Sequence, residues 1–298
     1  MSLPQHLRVI GSRRVFQHFL PPIGNPFPSS EFSLVKPGQA GPTMENFPDD
    51  DLLTIVVNPD ECEIDGLTSL RGVVWLWFLE PVFQQDKTRT SAAPRLAKAA
   101  EEPSTRRRNY LERVLANRGL SIVVSDSDSY EYCVRQGYDA RLSPPPVSDG
   151  VAGFSATEEV TIQVLTRHDQ TEFTRRFLDL LPSQVTHAEA DSLFETQSPK
   201  IPSHWVVPQE TVTSCFPYEA AIAVVAGQTL ITNALHPRWG LEAGLDYLEY
   251  STPEELRRIV EHINRYPRST QLMSWRGRLK SHSFLASVVY RRMLPISL

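Results

Sequence analysis

SCFPYEAAIAVVAGQTLITNALHPRWGLEAGLDYLEYSTP, residues 214–253, is the stretch that decides the fold. A short polar turn leads into a run of small residues, Ala220, Ala221, Ala223 and Ala226, opened by a carboxylate at Glu219 and closed by Gly227. An alanine-rich helix is thin and can pack close to a sheet. A glycine at its end takes the left-handed conformation that lets the chain turn at once into another element. That element is GQTLIT (227–232), a short apolar run that reads as a buried strand. A helix N-terminus carries unpaired N–H groups and a partial positive charge, so Ser214, Phe216 and Pro217 sit where a diphosphate would be stabilised. Glu219, one turn in, could accept hydrogen bonds from ribose hydroxyls. The same pattern equally describes an ordinary βα unit whose first-turn glutamate merely suits the helix dipole.

Working outward, the chain repeats this plan. In the first half LRVIGS (7–12), LLTIVVN (52–58), GVVWLWFLEP (72–81) and LSIVVSDS (120–127) read as strands. They are separated by polar stretches and by helices from Arg106 to Arg118 and from Ser129 to Gln136, the second ending at Gly137. Continuous apolar strands alternating with helices predict a parallel sheet covered on both faces. SPPPVSDGVAGFS (143–155) reads as a linker, three prolines stiffening it and two glycines loosening it. The second half restarts with VTIQVLT (160–166), a helix at 170–180, a short strand at Val185–His187 and the segment 201–213. After the opening stretch come a strand at Tyr247–Tyr250 and a helix started by Ser251-Thr252-Pro253-Glu254-Glu255, in which N-cap, N1 proline and first-turn acids all agree. Two more helices, 268–280 and 282–293, complete the chain. Residues 21–48, with seven prolines, and residues 86–104 read as long loops, either of which could be a lid or an acceptor loop.

Composition narrows the function. At 298 residues the chain can hold two domains, and a net charge of -5 without a sustained basic stripe argues against a nucleic-acid partner. Arg106, Arg107 and Arg108 read as the solvated face of their helix. Cys62, Cys133 and Cys215 show neither disulfide nor zinc-ligand spacing, which suits a reducing cytoplasm and suggests no metal site. No run approaches a membrane-spanning length, and MSLPQHLRVIGSRR at the start lacks a signal peptide's apolar core.

Four stretches carry a family likeness: VVWLWFLEP (73–81), SIVVSDSDSYEYCVRQGYDARLSPPPVSD (121–149), the opening stretch, and GLEAGLDYLEYSTPEELRRIVEHI (240–263). In order and spacing the chain resembles the GT-B glycosyltransferases, and within them the group 1 transferases and their CgeB-like relatives. The resemblance implies two Rossmann-like α/β domains facing an interdomain cleft. The acceptor-side domain would be 1–148, the nucleotide-sugar domain 149–281, with a C-terminal helix, 282–298, packing back on the first domain. It implies a metal-independent, hexosyltransferase-like transfer of sugar from a nucleotide-diphosphate donor to a small-molecule or glycan acceptor, with no cofactor beyond that co-substrate. Carried over by position, the donor site would comprise Arg167, His168, Trp205, Cys215, Phe216, Pro217, Tyr218 and Glu219. Glu219 would bind the ribose, Arg167 would neutralise the leaving diphosphate, and Trp205 would stack on the base.

The sequence also departs from the family pattern. Thr211 stands where group 1 enzymes commonly have a second glutamate, Glu210 being one step off register, and Thr166 replaces a glycine after the 160–165 strand. For the catalytic base the candidates are His18, after the first strand, and Glu80, at the end of the 72–81 stretch. His236 and Arg238, in NALHPRWG, are further cleft-edge candidates, although Pro237 could make that loop simply a rigid turn. These departures leave a second reading open, a GT-B nucleotide-sugar-binding or regulatory protein that has lost its chemistry.

Overall fold

A computed structural model of the chain describes residues 4–35, 51–62, 72–83, 105–112, 114, 120–153, 160–166, 178–179, 181, 185–189, 203–208 and 216–294. Within these, two parallel sheets carry the architecture. The first is built from β1 (His6–Gly11), β2 (Ser29–Leu34), β3 (Leu52–Val57), β4 (Val73–Phe78), β5 (Leu120–Val124) and β6 (Ala140–Leu142), in the order β2-β1-β3-β4-β5-β6. The second is built from β7 (Ile162–Thr166), β8 (Thr186–Glu189), β9 (His204–Val207), β10 (Thr229–Thr232) and β11 (Leu248–Glu249), in the order β11-β10-β9-β7-β8. Every pairing in both sheets is parallel. Numbered from its own first strand, the second sheet runs 2-1-3-4-5, and the first five strands of the first sheet follow the same order. Both halves are therefore doubly wound on one plan, each reversing direction beside its first strand.

The strands read as continuous apolar runs because both faces of each sheet are covered. In the first sheet Val9, Ile55, Val57, Trp75, Trp77 and Val123 enter one buried cluster. Their neighbours Ile10, Val56, Leu76, Phe78, Ile122 and Val124 enter another, with Tyr110, Leu111 and Cys133. In the second sheet Leu165, Trp205, Val207 and Leu230 join the first of these clusters. Ile162, Val164, Val206 and Ile231 pack instead with Leu256, Val260 and Ile263. One face of each sheet thus contributes to a shared central core.

The helices follow from their sequence signals. In α1 (Ser127–Arg135) the Asp126 side chain accepts from Ser129 N at 2.8 Å, and Gly137 ends the turn at φ 79°. Every residue of α2 (Tyr218–Val225) is buried, which explains its small side chains. Gly227, at φ 75°, lets Gln228 N bond back to Ala223 O at 3.0 Å, a Schellman-type closure. In α3 (Pro253–Arg265) Thr252 Oγ1 accepts from Glu255 N at 3.2 Å while Glu255 Oε2 accepts from Ser251 N at 2.7 Å, a reciprocal capping box. Two helices, α4 (Gln271–Lys280) and α5 (Ala286–Met293), complete the described chain. The chain crosses between the sheets along 143–153 and again near 281–286, and the crossings are bonded together: Val147 N donates to Phe284 O at 2.7 Å and Ala286 N to Val147 O at 2.8 Å. From there α5 lies against the first sheet, where the Tyr290 hydroxyl donates to Phe19 O at 2.8 Å and Arg141 Nη1 to Met293 O at 2.6 Å.

Two expectations need correction, and one strand was not read from the sequence. Part of the 21–48 stretch is not loop: SSEFSL forms β2, an edge strand pairing with β1 along its whole length, while 36–48 lie outside the described residues. ARL at 140–142 is likewise a strand, β6, pairing with β5. Arg107 does not belong to a solvated face. It is buried, ion-paired to Asp60 at 3.4 Å and to Glu80, and donates to Pro81 O at 3.1 Å. The chain folds so that two carboxylates at the ends of β3 and β4 compensate it, which its neighbours in sequence gave no means of seeing. The helix expected at 170–180 lies largely outside the described residues.

Candidate functional site

In open doubly wound sheets ligands bind beyond the carboxyl ends of the strands, where the strand order reverses. In the first sheet that place is the gap between β1 and β3. Directly after β1 the chain folds back as a 3-10 helix, Arg14–Phe19. Only a glycine fits at position 11, since a Cβ there would lie 2.5 Å from Phe16 Cδ2. At the end of β3, Asn58 sits in the left-handed region at φ 46°, which asparagine tolerates better than most residues. Its Oδ1 accepts from Leu79 N at 3.0 Å and its Nδ2 donates to Glu61 Oε1 at 3.1 Å. Glu61 also accepts from Ser12 Oγ at 2.8 Å and Arg13 Nη2 at 3.0 Å, so one carboxylate pins the two strand ends together. None of Asn58, Glu61, Ser12 or Arg13 was singled out from sequence. The available signal was Asn-Pro-Asp directly after a buried strand, which marks a turn with its own geometry.

In the second sheet the order reverses between β7 and β9, and the helix that follows β9 is α2. Its N-terminus points at the first half. The Tyr218 ring lies 5.3 Å from Phe19 and 6.2 Å from Phe16, centroid to centroid. Phe19 in turn meets Trp77 edge-on at 5.3 Å, and Tyr290 meets Trp77 at 6.4 Å. Phe216 stacks on Phe284 at 5.1 Å. The two strand-order reversals therefore converge, and aromatic side chains fill the space between them. The Tyr218 hydroxyl is fully buried with no hydrogen-bond partner among the described residues, and burial drives its pKa well above the usual tyrosine value.

Of the donor-site candidates, Phe216, Pro217, Tyr218 and Glu219 come together at this N-terminus, with Pro217 as N-cap residue. Glu219 is only 5% exposed, so its carboxylate does not look out on an open cleft. Trp205, on β9, is 1% exposed within the central core, which leaves no ring face on which a base could stack. Arg167, His168 and Cys215 lie outside the described residues, the first two directly following the end of β7.

The catalytic candidates are both constrained. His18 is buried on the 3-10 helix, and burial lowers its pKa to about 4, so it is neutral at physiological pH and a weak proton acceptor. Glu80 is ion-paired to Arg107, which holds its carboxylate in an ionic network that includes Asp60. Asp126 lies within electrostatic reach of Arg107, and burial raises its pKa to about 6. In the loop after β10, His236 is exposed, and Arg238 reaches Glu249 Oε2 at 3.4 Å, which also accepts from Tyr247 Oη at 2.8 Å. Trp239, between them and the core, holds an unusual left-handed backbone at φ 49°. Among the described residues no helix is long and apolar enough to cross a membrane.

No known family model matches the sequence, and no curated protein matches it. Solved structures do match its shape. HepE from Anabaena in complex with UDP-glucose superposes with a TM-score of 0.55 at 9% identity, covering 97% of this chain and 98% of that one. The same protein in complex with UDP and glucose gives a TM-score of 0.57 at 8% identity over the same shares. Sucrose-phosphate synthase from Thermosynechococcus elongatus gives 0.53 at 13% identity, covering 81% of this chain and 71% of that one. At such identities the likeness is one of fold. With its two parallel sheets wound on one plan and meeting at their strand-order reversals, the chain has the two-sheet α/β fold of the GT-B glycosyltransferases.

Proposed function

We infer that the protein transfers a sugar from a nucleotide-diphosphate donor to an acceptor held between its halves, in the manner of the group 1 and CgeB-like transferases. The observation that carries this reading is the convergence of the two strand-order reversals on the N-terminus of α2. A donor diphosphate would be held by the backbone N–H groups of Cys215, Phe216 and Tyr218, on either side of Pro217, which has no N–H of its own, where the helix dipole stabilises negative charge. Glu219 would accept the ribose hydroxyls. Arg167 and His168, next in sequence after Thr166, would meet the diphosphate as it leaves, which is the charge that grows during transfer. That arrangement supplies the stabilisation a bound metal would otherwise give. The halves would be an acceptor-side domain, 1–148, and a donor domain, 149–281, with 282–298 returning to the first, working in the cytoplasm.

Two observations favour a second reading, binding without transfer. Glu219 is enclosed, so the surroundings of its carboxylate must open before a donor can reach it. The base candidates His18 and Glu80 are a neutral buried imidazole and an arginine-paired carboxylate. The test is a panel of UDP, GDP and TDP sugars. Stabilisation of the folded protein by one of them is expected on either reading, and slow release of free sugar only for the enzyme. Glu219→Gln should weaken that binding with the fold intact; unchanged affinity removes Glu219 from the site.

A further inference from the structure

Helix α4 has two faces of opposite character. Its inner face is fixed by close packing: a Cβ on Gly277 would fall 2.8 Å from Asp246 O, and Arg276 and Lys280 reach the buried Asp246 carboxylate at 3.2 Å and 2.6 Å. Its outer face carries Leu272, Trp275 and Leu279, at i, i+3 and i+7, and they are 66%, 59% and 59% exposed. Tyr266, just before the helix, is 54% exposed. Three large apolar side chains lined up on one exposed helix stripe are unusual for a soluble surface, where such residues scatter singly.

The charge around this stripe says what covers it. From Arg265 to Lys280 the chain has five Lys and Arg and no Asp or Glu, although the whole protein carries -5. Arg276 and Lys280 are engaged by Asp246 and Arg278 donates to Ala152 O, while Arg265 and Arg268 remain exposed just before the helix. A second copy docking face to face would set these cations against each other. An apolar stripe with tryptophan and tyrosine, rimmed by arginine, matches instead the boundary of an anionic bilayer. There the aromatic rings sit at headgroup level and the basic groups meet lipid phosphates. We propose that α4 docks the protein on anionic membrane surfaces, lying in the interface with Leu272, Trp275 and Leu279 inserted and Arg265 and Arg268 on the headgroups. No membrane-crossing helix is needed, and the donor-side half would be held against the bilayer through its own outer surface.

The experiment is co-sedimentation of the full chain with phosphatidylcholine vesicles, with or without about a third phosphatidylserine. Wild type should partition at least tenfold better onto the anionic vesicles, with binding that fades as salt rises, since exposed basic groups each add about 1 kcal/mol near such a surface. The triple variant Leu272→Ser, Trp275→Ser, Leu279→Ser should lose this binding, and Arg265→Gln with Arg268→Gln should weaken it about tenfold or more. All substituted side chains are exposed, and unchanged circular dichroism and melting verify that the variants fold. Equal partition onto neutral and anionic vesicles, or undiminished binding by the triple variant, overturns the proposal. So does a dimer in solution that the triple variant converts to monomer, or saturable binding to an acidic protein with none to vesicles.

Discussion

Two tyrosines in the central aromatic cluster offer a matched experiment in which the same substitution should have opposite effects. Tyr218 and Tyr290 are both fully buried, and burial raises both their pKa values well above the usual tyrosine value. The Tyr290 hydroxyl donates to Phe19 O at 2.8 Å, whereas that of Tyr218 has no partner among the described residues. A buried hydrogen bond contributes about 1 kcal/mol net, while a buried polar group left unpaired costs about 1–3 kcal/mol. Replacing Tyr by Phe keeps the ring contacts that hold Phe19 and Trp77 in each case. Tyr290→Phe should therefore lose about 1 kcal/mol, and leave the Phe19 carbonyl short of a donor. Tyr218→Phe should gain about 1 kcal/mol, because among the described residues the hydroxyl removed has no partner to lose. The gap of about 2 kcal/mol is readily resolved by urea or guanidinium unfolding with a common slope. In melting it corresponds to only a few degrees, about 2 °C per kcal/mol for a chain of this size. A Tyr218→Phe protein destabilised as much as Tyr290→Phe would mean that the hydroxyl is bonded, and the packing between the strand-order reversals would have to be redrawn. An unpaired hydroxyl retained at a cost is also what a ligand site keeps, so the stabilised variant should be the one with reduced nucleotide-sugar affinity.

Two further perturbations test the charged interior. Arg107→Met should destabilise by about 1.5–3 kcal/mol, since it takes the buried cation from Glu80 and Asp60, the latter keeping the exposed Arg106 at 3.0 Å; a loss under about 1 kcal/mol, read from denaturant unfolding, would refute the network. Between pH 6.5 and 4 stability should fall, because His18 and His204 have folded pKa values lowered to about 4 by burial and take up protons only on unfolding. Asp126 has the opposite slope, its folded pKa raised to about 6, so protonation there favours the folded state as pH falls from about 6 to 4. Asp126→Asn, which keeps an oxygen for the Ser129 N–H, removes that compensation. Unfolding curves at pH 7 and pH 5 should then show a steeper acid loss than wild type, and a shallower one would reverse the assignment.

The sheets were legible because they are buried on both faces. LLTIVV and VVWLWF need no partner in sequence to declare themselves, and Gly137, Gly227 and the Thr252-Pro253-Glu255 start mark helix ends by local chemistry alone. β2 escaped because SSEFSL is a half-exposed edge strand set among prolines, with neither apolar continuity nor strict alternation. The fate of Arg107 escaped for a different reason. A run of arginines reads as solvated unless distant carboxylates are brought to it, and Asp60 and Glu80 arrive only through the order of β3 and β4. The same limit applies to the site. Position along the chain identified Phe216 to Glu219 as a helix start after a short polar turn. That Phe16 and Phe19 would meet Tyr218 there, with Trp77 behind Phe19, depends on how the halves meet, which no local pattern encodes.

That contact bears on how a donor could enter. The halves are joined by two crossings rather than one, bonded to each other at Val147 and Ala286 and braced where Ser287 N donates to Asp149 Oδ1 at 3.1 Å. Beyond them α5 is tied to the first sheet through Tyr290 and Arg141. Movement that parts Tyr218 from Phe16 and Phe19 therefore has its natural pivot at the paired crossings, where backbone bonds can persist while side-chain packing breaks. The two Tyr218 ring contacts are worth about 0.5–1.5 kcal/mol each beyond their area. On the proposed reading, separating them would lower apparent donor affinity by a factor of about 5 to 150. A ligand can offset that only through contacts made in the open form alone, and on the proposed reading Glu219, only 5% exposed here, would be one of them. On that reading the cost of parting the rings would appear in the affinity of any donor that reaches the enclosed carboxylate.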